Sequence, residues 1–318
     1  MVTAAARLGL ADAFDGDTAD GKVLAGKLNA DPLALERFLR ALASIGLIDD
    51  RGEGCFALTP MGERLRGDHP ESLKGMALHV GTQLSPAFAR LHDTLFTGLP
   101  PEQISYGPHG FAELDENPDA AAIFNQAMVD NSRRFAQRAA EIYDFTKFAS
   151  IMDVGGGYGA VLAELLRAAP GARGVILDLA HARDGAARLL DQAGVSDRAR
   201  YVTGSFFDQF PETADAYMLK YILHDWDDEH ARLIVQRVGE AAAKSGDTVL
   251  LIEKILPERV QADADHAVAL YGDMTMMLWN GRERTEAQFA EMLQYGGLAL
   301  TRTLPLADNH FLIEARPG

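Results

Sequence analysis

The 318-residue chain has the length of two domains and the composition of an ordinary globular protein, with 47% hydrophobic and 24% charged residues. This composition excludes a disordered or fibrous chain. The net charge of −16 argues against a nucleic acid or an anionic membrane as partner. Cys55 is the one cysteine of the sequence, so an intramolecular disulfide and a zinc site built from thiolates are excluded. The sequence shows neither a leader pattern nor a long apolar run, and we expect a cytoplasmic protein without membrane contact.

Short helices and a hairpin are predicted for the first part of the chain. Apolar spacing indicates helices over residues 7–14 and 23–28. Asp31, which precedes a proline, is a suitable N-cap for a third helix that ends at Gly46. A turn-rich stretch within residues 47–58 predicts a β-hairpin. Three helices followed by a hairpin make up a winged helix.

The usual function of a winged helix is DNA binding through the side chains of its third helix. Here that helix offers only two basic residues, Arg37 and Arg40, beside an acidic neighbour. Because the whole chain is also strongly acidic, we expect this region to serve in packing or dimerisation instead.

A second pattern begins after a further helical stretch between residues 73 and 143. From residue 151, short apolar strands alternate with helices, which predicts a doubly wound α/β domain with a parallel sheet and right-handed crossovers. We place the domain boundary between residues 1–95 and 96–318, with the α/β core starting at about residue 146. The predicted strands are 151–154, 174–178, 199–202, 214–220 and 248–253, followed by a terminal hairpin of 298–304 and 310–315.

A glycine-rich turn follows the first of these strands. Gly155 and Gly157 allow a ligand to approach the backbone closely, and the helix that follows presents its N-terminus to negative charge. Asp178, which ends the next strand, is placed to accept hydrogen bonds from both hydroxyls of a ribose. This arrangement serves NAD and S-adenosylmethionine alike. The preceding helical region and the closing hairpin favour a methyltransferase sheet.

Several segments together resemble the caffeate/hydroxyindole type of S-adenosylmethionine-dependent O-methyltransferase, known from plants and from bacterial natural-product pathways. The resemblance covers nearly the whole chain, because residues 35–46, 58–62 and 124–128 are also similar. It implies a Rossmann-like methyltransferase sheet, an N-terminal winged-helix-like dimerisation domain, a homodimer and S-adenosylmethionine as cofactor. The segments that carry it are 153–159, 177–179, 204–207, 219–226, 251–253 and 281–285.

The resemblance also implies which residues bind the cofactor. Gly155 would lie against its amino-acid end, Asp178 at the ribose, Lys220 on the adenine side and Ser132 near the carboxylate. The family usually has an aspartate where this chain has Ser205, whose hydroxyl can still accept a hydrogen bond from the adenine amine. The predicted cofactor-binding residues are Ser132, Asp153, Gly155, Gly157, Asp178, Leu179, Ser205, Phe206 and Lys220.

The predicted catalytic residues are His224, Glu253 and Glu283. A phenol with a pKa of about 10 is a poor nucleophile at neutral pH, so methyl transfer to it requires a base. His224 follows a strand at the carboxyl end of the sheet, where ligands of open α/β folds bind. Glu253 ends the fifth strand and is predicted to orient the imidazole. Glu283 is the second carboxylate that the resemblance implies.

The predicted acceptor is an aromatic small molecule with a phenolic or enolic hydroxyl. The resemblance places Met128 in the acceptor pocket. The methionine- and tryptophan-rich stretch that contains Asp273, Met277 and Asn280 adds three candidates, because methionine adapts to flat apolar ligands. No ring of aspartates at strand ends indicates magnesium, and no metal is predicted.

Two other functions stay open from the sequence. A member of this fold could bind the cofactor and catalyse a reaction other than methyl transfer, against which the predicted histidine and its two carboxylates argue. A winged-helix regulator with a ligand-sensing α/β domain is the other alternative, against which the acidic charge argues.

Overall fold

The computed structural model describes residues 1–101, 117–244, 247–307 and 309–318. The chain divides into two compact units. The first consists of Met1–Ser85 and Gln126–Asn131, and the second of Pro86–Asn125 and Ser132–Gly318. Within the described ranges, no helix is both long and apolar enough to cross a membrane.

The first unit contains short helices and a small antiparallel sheet. Buried apolar side chains such as Phe14, Leu39 and Phe56 form its core. Asp31 accepts a hydrogen bond from the amide of Ala34 and thereby caps the third helix, as its position before a proline predicts. The sheet order is β1-β3-β2. The elements are α1 (Val2–Leu8), β1 (Ala19–Asp20), α2 (Gly21–Lys27), α3 (Pro32–Ala43), β2 (Ile48–Gly52), β3 (Cys55–Leu58), α4 (Pro60–Glu63) and α5 (Lys74–His79).

The prediction of a helix over residues 7–14 is wrong. Helix α1 ends at Leu8, because Gly9 adopts a left-handed conformation with φ +68° and closes the helix. A short 3-10 turn, Ala11–Ala13, follows. The predicted third helix and the hairpin are confirmed, so the order of three helices and a hairpin holds.

Within the described residues, three further α-helices follow α5 in the chain before the large sheet begins. They are α6 (Ser85–Phe88), α7 (Leu91–Thr97) and α8 (Pro118–Ile142). The side chain of Asn117 accepts a hydrogen bond from the amide of Ala120 and caps α8. Helix α8 contributes residues to both units.

A seven-strand path in the order β10-β11-β8-β7-β4-β5-β6 forms the main sheet of the second unit, and β9 pairs with β8 beside this path. The strands from β8 to β6 run parallel, while β10 and β11 form the predicted antiparallel hairpin at one edge. The strands are β4 (Ser150–Val154), β5 (Arg173–Asp178), β6 (Ala199–Thr203), β7 (Ala216–Lys220), β8 (Thr248–Leu256), β9 (Arg284–Thr285), β10 (Leu298–Pro305) and β11 (His310–Pro317).

Helices cover both faces of this sheet, as a doubly wound fold requires. Successive side chains of β7 lie on opposite faces of the sheet. Met218 packs into one apolar cluster, and Tyr217 and Leu219 pack into the other. The parallel strands therefore end along one edge, where the sequence predicts the site. The remaining helices are α9 (Ala160–Ala168), α10 (Arg183–Gln192), α11 (Asp228–Ala243), α12 (Ala264–Met277) and α13 (Glu286–Gln294).

Candidate active site

The glycine turn between β4 and α9 needs glycine for two reasons. Gly155, Gly157 and Gly159 have φ values of +69°, +55° and +78°, a region that other residues rarely adopt. A Cβ atom on Gly155 would also lie 2.4 Å from the Cδ1 atom of Ile222. The amide of Gly155 donates to the carbonyl oxygen of Leu177 at 2.8 Å, which ties the turn to the neighbouring strand β5.

Asp178 ends β5 and faces this turn. Its Oδ2 atom accepts a hydrogen bond from the amide of Gly157 and its Oδ1 atom from the amide of Leu179, both at 2.6 Å. These two bonds fix the orientation of the carboxylate. Each oxygen has a second lone pair, so the carboxylate can still accept hydrogen bonds from two ribose hydroxyls.

Two buried ionisable side chains lie near the same strand ends. Burial raises the pKa of Asp153 to about 7 and lowers that of Lys220 to about 7. Within the described residues, the Oδ2 atom of Asp153 and the Nζ atom of Lys220 have no hydrogen-bond partner. Buried polar atoms are normally satisfied, so this edge offers polar groups that a bound polar ligand could satisfy.

Ser205 and Phe206 follow β6. The Oγ atom of Ser205 accepts a hydrogen bond from the amide of Phe207 at 3.2 Å. The Cε1 atom of Phe206 would lie 3.4 Å from a Cβ atom on Gly155, so the structure brings this ring to the glycine turn. Phe206 also makes an edge contact with Trp226, with ring centroids 5.9 Å apart.

Helix α8 carries two of the predicted site residues. Ser132 is buried in the second unit, while Met128 is half-buried and falls in the first unit. Asn125, which the sequence analysis did not predict as a site residue, is buried, and its Oδ1 atom would lie 3.3 Å from a Cβ atom on Gly157. An asparagine inside a helix gives no signal for this proximity, because only the packing of α8 brings it to the turn.

His224 lies in a 3-10 turn directly after β7 and is buried. Its Nδ1 atom lies 3.1 Å from Oε1 of Glu283 and 3.6 Å from Oε2 of Glu253. Its Nε2 atom lies 3.4 Å from Oδ1 of Asp225. The structure therefore brings the three predicted catalytic residues together, with both glutamates on the Nδ1 side of the ring.

The carboxylates decide the protonation of this cluster. Burial opposes a charged imidazole, but the charges of Glu283, Asp225 and Glu253 outweigh it and raise the pKa of His224 to about 9. Burial raises the pKa of Glu253 to about 7 and that of Asp225 to about 6. Glu283 is also buried, yet the positive charge of His224 keeps the pKa of this carboxyl below its usual value. The resting cluster is an imidazolium paired with the Glu283 carboxylate.

The prediction that Glu253 ends its strand is wrong, because β8 continues to Leu256. Pairing of β8 with β11 and β9 keeps it extended beyond the parallel region. Lys220, the last residue of β7, pairs with Ile252, so Glu253 lies level with the point where the chain leaves β7. Register, rather than the end of a strand, places this carboxylate beside His224.

The turn that carries His224 is held by two buried charged side chains. The Oε1 atom of Glu253 accepts hydrogen bonds from the amides of Ile222 and Leu223 at 3.1 and 3.0 Å. Arg284, which is 1% exposed, donates from Nη1 to the carbonyl oxygen of Leu223 at 2.7 Å. Arg284 is not among the residues predicted from the sequence, because an arginine in a charged segment gives no sign that it is buried.

The predicted acceptor residues of the 273–280 stretch have different environments. Asp273 is half-buried, and its Oδ1 atom accepts a hydrogen bond from the amide of Glu283 at 2.9 Å. Met277 ends α12 and is half-buried. Asn280 is exposed in a left-handed turn with φ +65°, and its Nδ2 atom donates to Asp227 at 3.2 Å.

His224, Glu253 and Glu283 also have the spacing of a metal site, with ligand atoms within 4.8 Å of one another. The Nζ atom of Lys254 lies 3.7 Å from Oε1 of Glu283. The ammonium group of Lys254 and the imidazolium of His224 lie beside these carboxylates. They already supply the positive charge that a metal cation would bring. The cluster is therefore interpreted as an ion-pair network.

Comparison with known proteins identifies the family. Residues 88–299 match the family model of the O-methyltransferase domain, and residues 1–67 match that of the O-methyltransferase dimerisation domain. The chain belongs to the O-methyltransferase family. The match of the first model covers more than half of the chain, and the Rossmann-like sheet and the N-terminal domain predicted from the sequence are confirmed.

Similar O-methyltransferases come from bacterial natural-product pathways. The chain is 36% identical to O-demethylpuromycin-O-methyltransferase of Streptomyces alboniger, over 98% of this chain and 84% of that protein. It is 34% identical to a phenazine O-methyltransferase of Lysobacter antibioticus, over 98% and 91%. An O-methyltransferase from neocarzinostatin biosynthesis, solved with S-adenosylmethionine and 2-hydroxy-5-methyl naphthoic acid, superimposes with a TM-score of 0.80 at 32% identity, over 100% of this chain and 95% of that one.

These findings decide the cofactor of this O-methyltransferase. The family and its solved members bind S-adenosylmethionine, so S-adenosylmethionine and not NAD is the cofactor of the chain. The residues at the sheet edge fit it, because the carboxylate of Asp178 can accept hydrogen bonds from ribose hydroxyls and the buried polar atoms of Asp153 and Lys220 have no hydrogen-bond partner within the described residues. The enzyme is an S-adenosylmethionine-dependent O-methyltransferase.

Proposed function

We propose that the enzyme transfers the methyl group of S-adenosylmethionine to a phenolic or enolic hydroxyl of an aromatic small molecule, with His224 as the general base. The observation that carries this proposal is the hydrogen bond between Nδ1 of His224 and Glu283 at 3.1 Å. A carboxylate can only accept, so Nδ1 carries a hydrogen in both protonation states of the ring. Nε2 is then the nitrogen that takes up the proton of the acceptor.

S-adenosylmethionine, when bound, supplies a methyl group on a positively charged sulfur. His224 removes the proton of the acceptor hydroxyl through Nε2 as the oxygen attacks, and the proton stays on Nε2. Glu283 stabilises the imidazolium that forms, and Glu253 adds a second negative charge 3.6 Å from Nδ1. Both glutamates act through the histidine and are positioning residues. Base catalysis of this kind contributes about 10²–10⁴-fold.

The pKa of His224 has a direct consequence for this mechanism. The surrounding carboxylates raise the pKa of His224 to about 9, so the protonated imidazole is favoured at pH 7 and the neutral form is the minority. Neutral His224 is then a base of nearly the same strength as a phenolate, because a phenol has a pKa of about 10. Proton transfer from the phenol to neutral His224 is therefore only slightly unfavourable. We expect the rate to increase as the pH approaches 9.

The proposed cofactor contacts follow the sequence prediction. The glycine turn at Gly155 and Gly157 would lie against the amino-acid end, Asp178 would bind the ribose and Ser205 the adenine amine. Support comes from the positive φ values of the glycines, the fixed carboxylate of Asp178 and the Phe206 ring beside the turn. The remaining proposed contacts are Ser132, Asp153, Leu179 and Lys220.

The proposed acceptor-binding residues of the second unit are Asp273, Met277 and Asn280, and Met128 is proposed from the resemblance alone. The hydrogen bond between Asp273 and the amide of Glu283 supports a place for Asp273 beside the catalytic cluster. The neocarzinostatin relative holds an aromatic hydroxy acid, which supports a flat aromatic acceptor for this chain. We also propose that the enzyme is a homodimer formed through its dimerisation domain.

Calorimetry with S-adenosylhomocysteine and with NAD tests the cofactor part of the proposal. We expect binding of S-adenosylhomocysteine only. Methyl transfer is then measured with tritiated S-adenosylmethionine and a panel of phenols that includes 2-hydroxy-5-methyl naphthoic acid and 1,4-dihydroxy-2-naphthoic acid, the acceptors solved with the neocarzinostatin relative.

The H224Q variant tests the base. We expect its kcat to decrease about 10²–10⁴-fold while its Kd for S-adenosylhomocysteine stays unchanged. H230Q, which alters a half-exposed histidine of α11, is the matched control. Full activity of H224Q would exclude the base role, and an equal loss of cofactor binding would make His224 a structural residue.

A further inference from the structure

Tyr221 has an unusual backbone conformation for a bulky residue. It is the first residue after β7 and has a φ of +57°, a region in which glycine is normally found. Its amide still donates to the carbonyl oxygen of Ile252 at 3.1 Å, so the departure from the strand occurs at this one residue. Such conformations persist where the surrounding structure enforces them, often at functional sites.

The ring of Tyr221 lies against the imidazole of His224. The two ring centroids are 4.6 Å apart, and the ring planes are inclined by only 30°. Glu283 bonds to Nδ1 and Asp225 lies 3.4 Å from Nε2, and a ring contacted at its two nitrogens can still tilt about the line that joins them. The stacked Tyr221 ring restricts this tilt, because it covers one face of the imidazole.

His310 holds the other end of Tyr221. The hydroxyl of Tyr221 bonds to Nε2 of His310, and Nδ1 of His310 lies 3.0 Å from the carbonyl oxygen of Ala307. A carbonyl only accepts, so Nδ1 of His310 carries the hydrogen and Nε2 accepts from the tyrosine. Burial, with the nearby charge of Lys220, lowers the pKa of His310 to about 3, so this imidazole is neutral and keeps its acceptor.

The sheet and α8 fix His310 in turn. His310 is the first residue of β11 and pairs with Lys254 of β8, next to Glu253. Phe135 of α8 stacks on its ring, with centroids 3.8 Å apart. A row of four rings therefore leads from Phe135 through His310 and Tyr221 to His224.

We propose that Tyr221 is a positioning residue for His224, and that His310 fixes Tyr221 through its hydroxyl. This inference rests on the proposed role of His224 as the base. Glu283 determines which edge of the imidazole is bound, and the pair of Tyr221 and His310 determines the tilt of the ring. The direction of Nε2 toward the acceptor depends on both.

A double-mutant cycle of Y221F, H310L and the double variant tests the pair. We expect each single variant to lower kcat about tenfold, since a small displacement of a catalytic group has this size of effect. The double variant should be no slower than the worse single variant, because both changes remove one hydrogen bond. H310Q, which keeps an acceptor and a donor, should recover most of the rate. The Kd for S-adenosylhomocysteine should stay the same throughout.

Y217F is the matched control. Tyr217 is a fully buried tyrosine of the same strand β7, and its hydroxyl accepts one hydrogen bond from the amide of Ala214 at 3.0 Å. The variant loses a buried hydroxyl and a hydrogen bond without touching the row of rings. It should retain the wild-type kcat, even if its unfolding temperature decreases.

A second readout does not depend on an acceptor. In protein labelled with ¹⁵N-histidine, the imidazole resonances of His224, assigned with H224Q, should shift or broaden in Y221F and H310L but not in Y217F. If the wild type methylates no phenol of the panel, the proposed function fails, and the resonances still test the pair. Unchanged resonances with unchanged kcat in Y221F, additive losses in the double variant, or a parallel loss of cofactor binding would each overturn the inference.

Discussion

Arg284 donates a hydrogen bond from Nη1 to the carbonyl oxygen of Leu223, the residue before His224, at 2.7 Å. From Nη2 it also donates to the carbonyl oxygen of Trp226 at 3.2 Å and to Oδ1 of Asp228 at 2.8 Å. Since Glu253 accepts from the amide of Leu223, a buried carboxylate and a buried cation bond to the amide and the carbonyl group of the same residue. The turn that carries His224 is therefore held by long-range contacts and not by its own sequence alone.

We expect R284K to lower both stability and activity. A lysine keeps the charge, but its single ammonium cannot reach several acceptors in the geometry of a guanidinium. The loss of buried hydrogen bonds should cost about 2–4 kcal/mol of unfolding free energy, and kcat should decrease about tenfold. Urea unfolding and steady-state kinetics measure the two effects.

R282K is the control for this variant. Arg282 is two residues away, its side chain is 44% exposed, and it contacts Asp228 at 3.2 Å. A surface pair of this kind contributes little, so stability and kcat should stay close to the wild type. An R284K variant that behaves like R282K would show that the turn does not depend on the buried guanidinium.

Glu253 accepts hydrogen bonds from the turn and also places a negative charge near His224, and two substitutions separate these two interactions. E253Q keeps an oxygen that can accept from the amides of Ile222 and Leu223, but it removes a negative charge 3.6 Å from Nδ1 of His224. That charge is one of three that raise the pKa of His224, so its loss lowers this pKa. E253A removes the acceptor as well.

The pH dependence of kcat/KM distinguishes the two variants. The wild-type rate should increase with pH toward about 9, because His224 must lose its proton to act as base. E253Q should show this increase at lower pH, because the wild-type Glu253 carboxyl, with a pKa of about 7, is ionised in the range around pH 9 where His224 loses its proton. E253A should be slow at every pH. Identical profiles for E253Q and the wild type would exclude the electrostatic role.

D178N should weaken binding of S-adenosylhomocysteine. The carboxylate of Asp178 accepts from the amides of Gly157 and Leu179, and an asparagine offers only one acceptor oxygen. One amide would then face an NH₂ group, and one acceptor for a ribose hydroxyl is lost. We expect a Kd about 10–100-fold higher, since a hydrogen bond to a charged group is worth about 1.5–3 kcal/mol. Calorimetry that gives an unchanged Kd would remove Asp178 from the cofactor site.

S205D should strengthen cofactor binding. Ser205 accepts from the amide of Phe207, and an aspartate makes the same local turn contact. The extra carboxylate oxygen would accept more strongly from the adenine amine. We expect the Kd for S-adenosylhomocysteine to decrease about tenfold, measured by calorimetry. Weaker binding in S205D would show that position 205 does not contact the adenine amine.

His310 should make the folded protein sensitive to mild acid. Its pKa is about 3 when folded and about 6.5 in an unfolded chain, so the unfolded state binds more protons below pH 6.5. Stability contributed by neutral His310 is therefore present above about pH 6.5 and is lost as the pH falls toward 3. Between pH 7 and pH 5 the loss amounts to about 2 kcal/mol.

The H310Q variant isolates this contribution, because glutamine does not titrate. Urea unfolding of the wild type and of H310Q at pH 7 and pH 5 should show the variant gaining about 2 kcal/mol relative to the wild type at the lower pH. H92Q, at a histidine whose side chain is 80% exposed, controls for a change in the number of histidines. A constant difference between wild type and H310Q at both pH values would contradict the prediction.

Local patterns in the sequence determined the fold class and the general place of the site. The cap at Asp31, the glycine turn at Gly155 and the place of Asp178 at the end of β5 depend on residues close together in the chain, and the structure has each of them where the pattern predicts. Local rules also have limits. The first helix ends earlier than its apolar spacing indicates, because Gly9 adopts a left-handed conformation that spacing does not reveal.

Only the tertiary structure decided how His224 is surrounded. Glu283 reaches Nδ1 of His224 from 59 positions away, and Tyr221 meets His310 from 89 positions away. These contacts depend on the register of β7, β8 and β11, and strand register is set by packing of the whole sheet rather than by any short segment. For the same reason the pKa of His224 could not be predicted: an imidazole titrates according to the charges packed around it, and three carboxylates meet there only after folding.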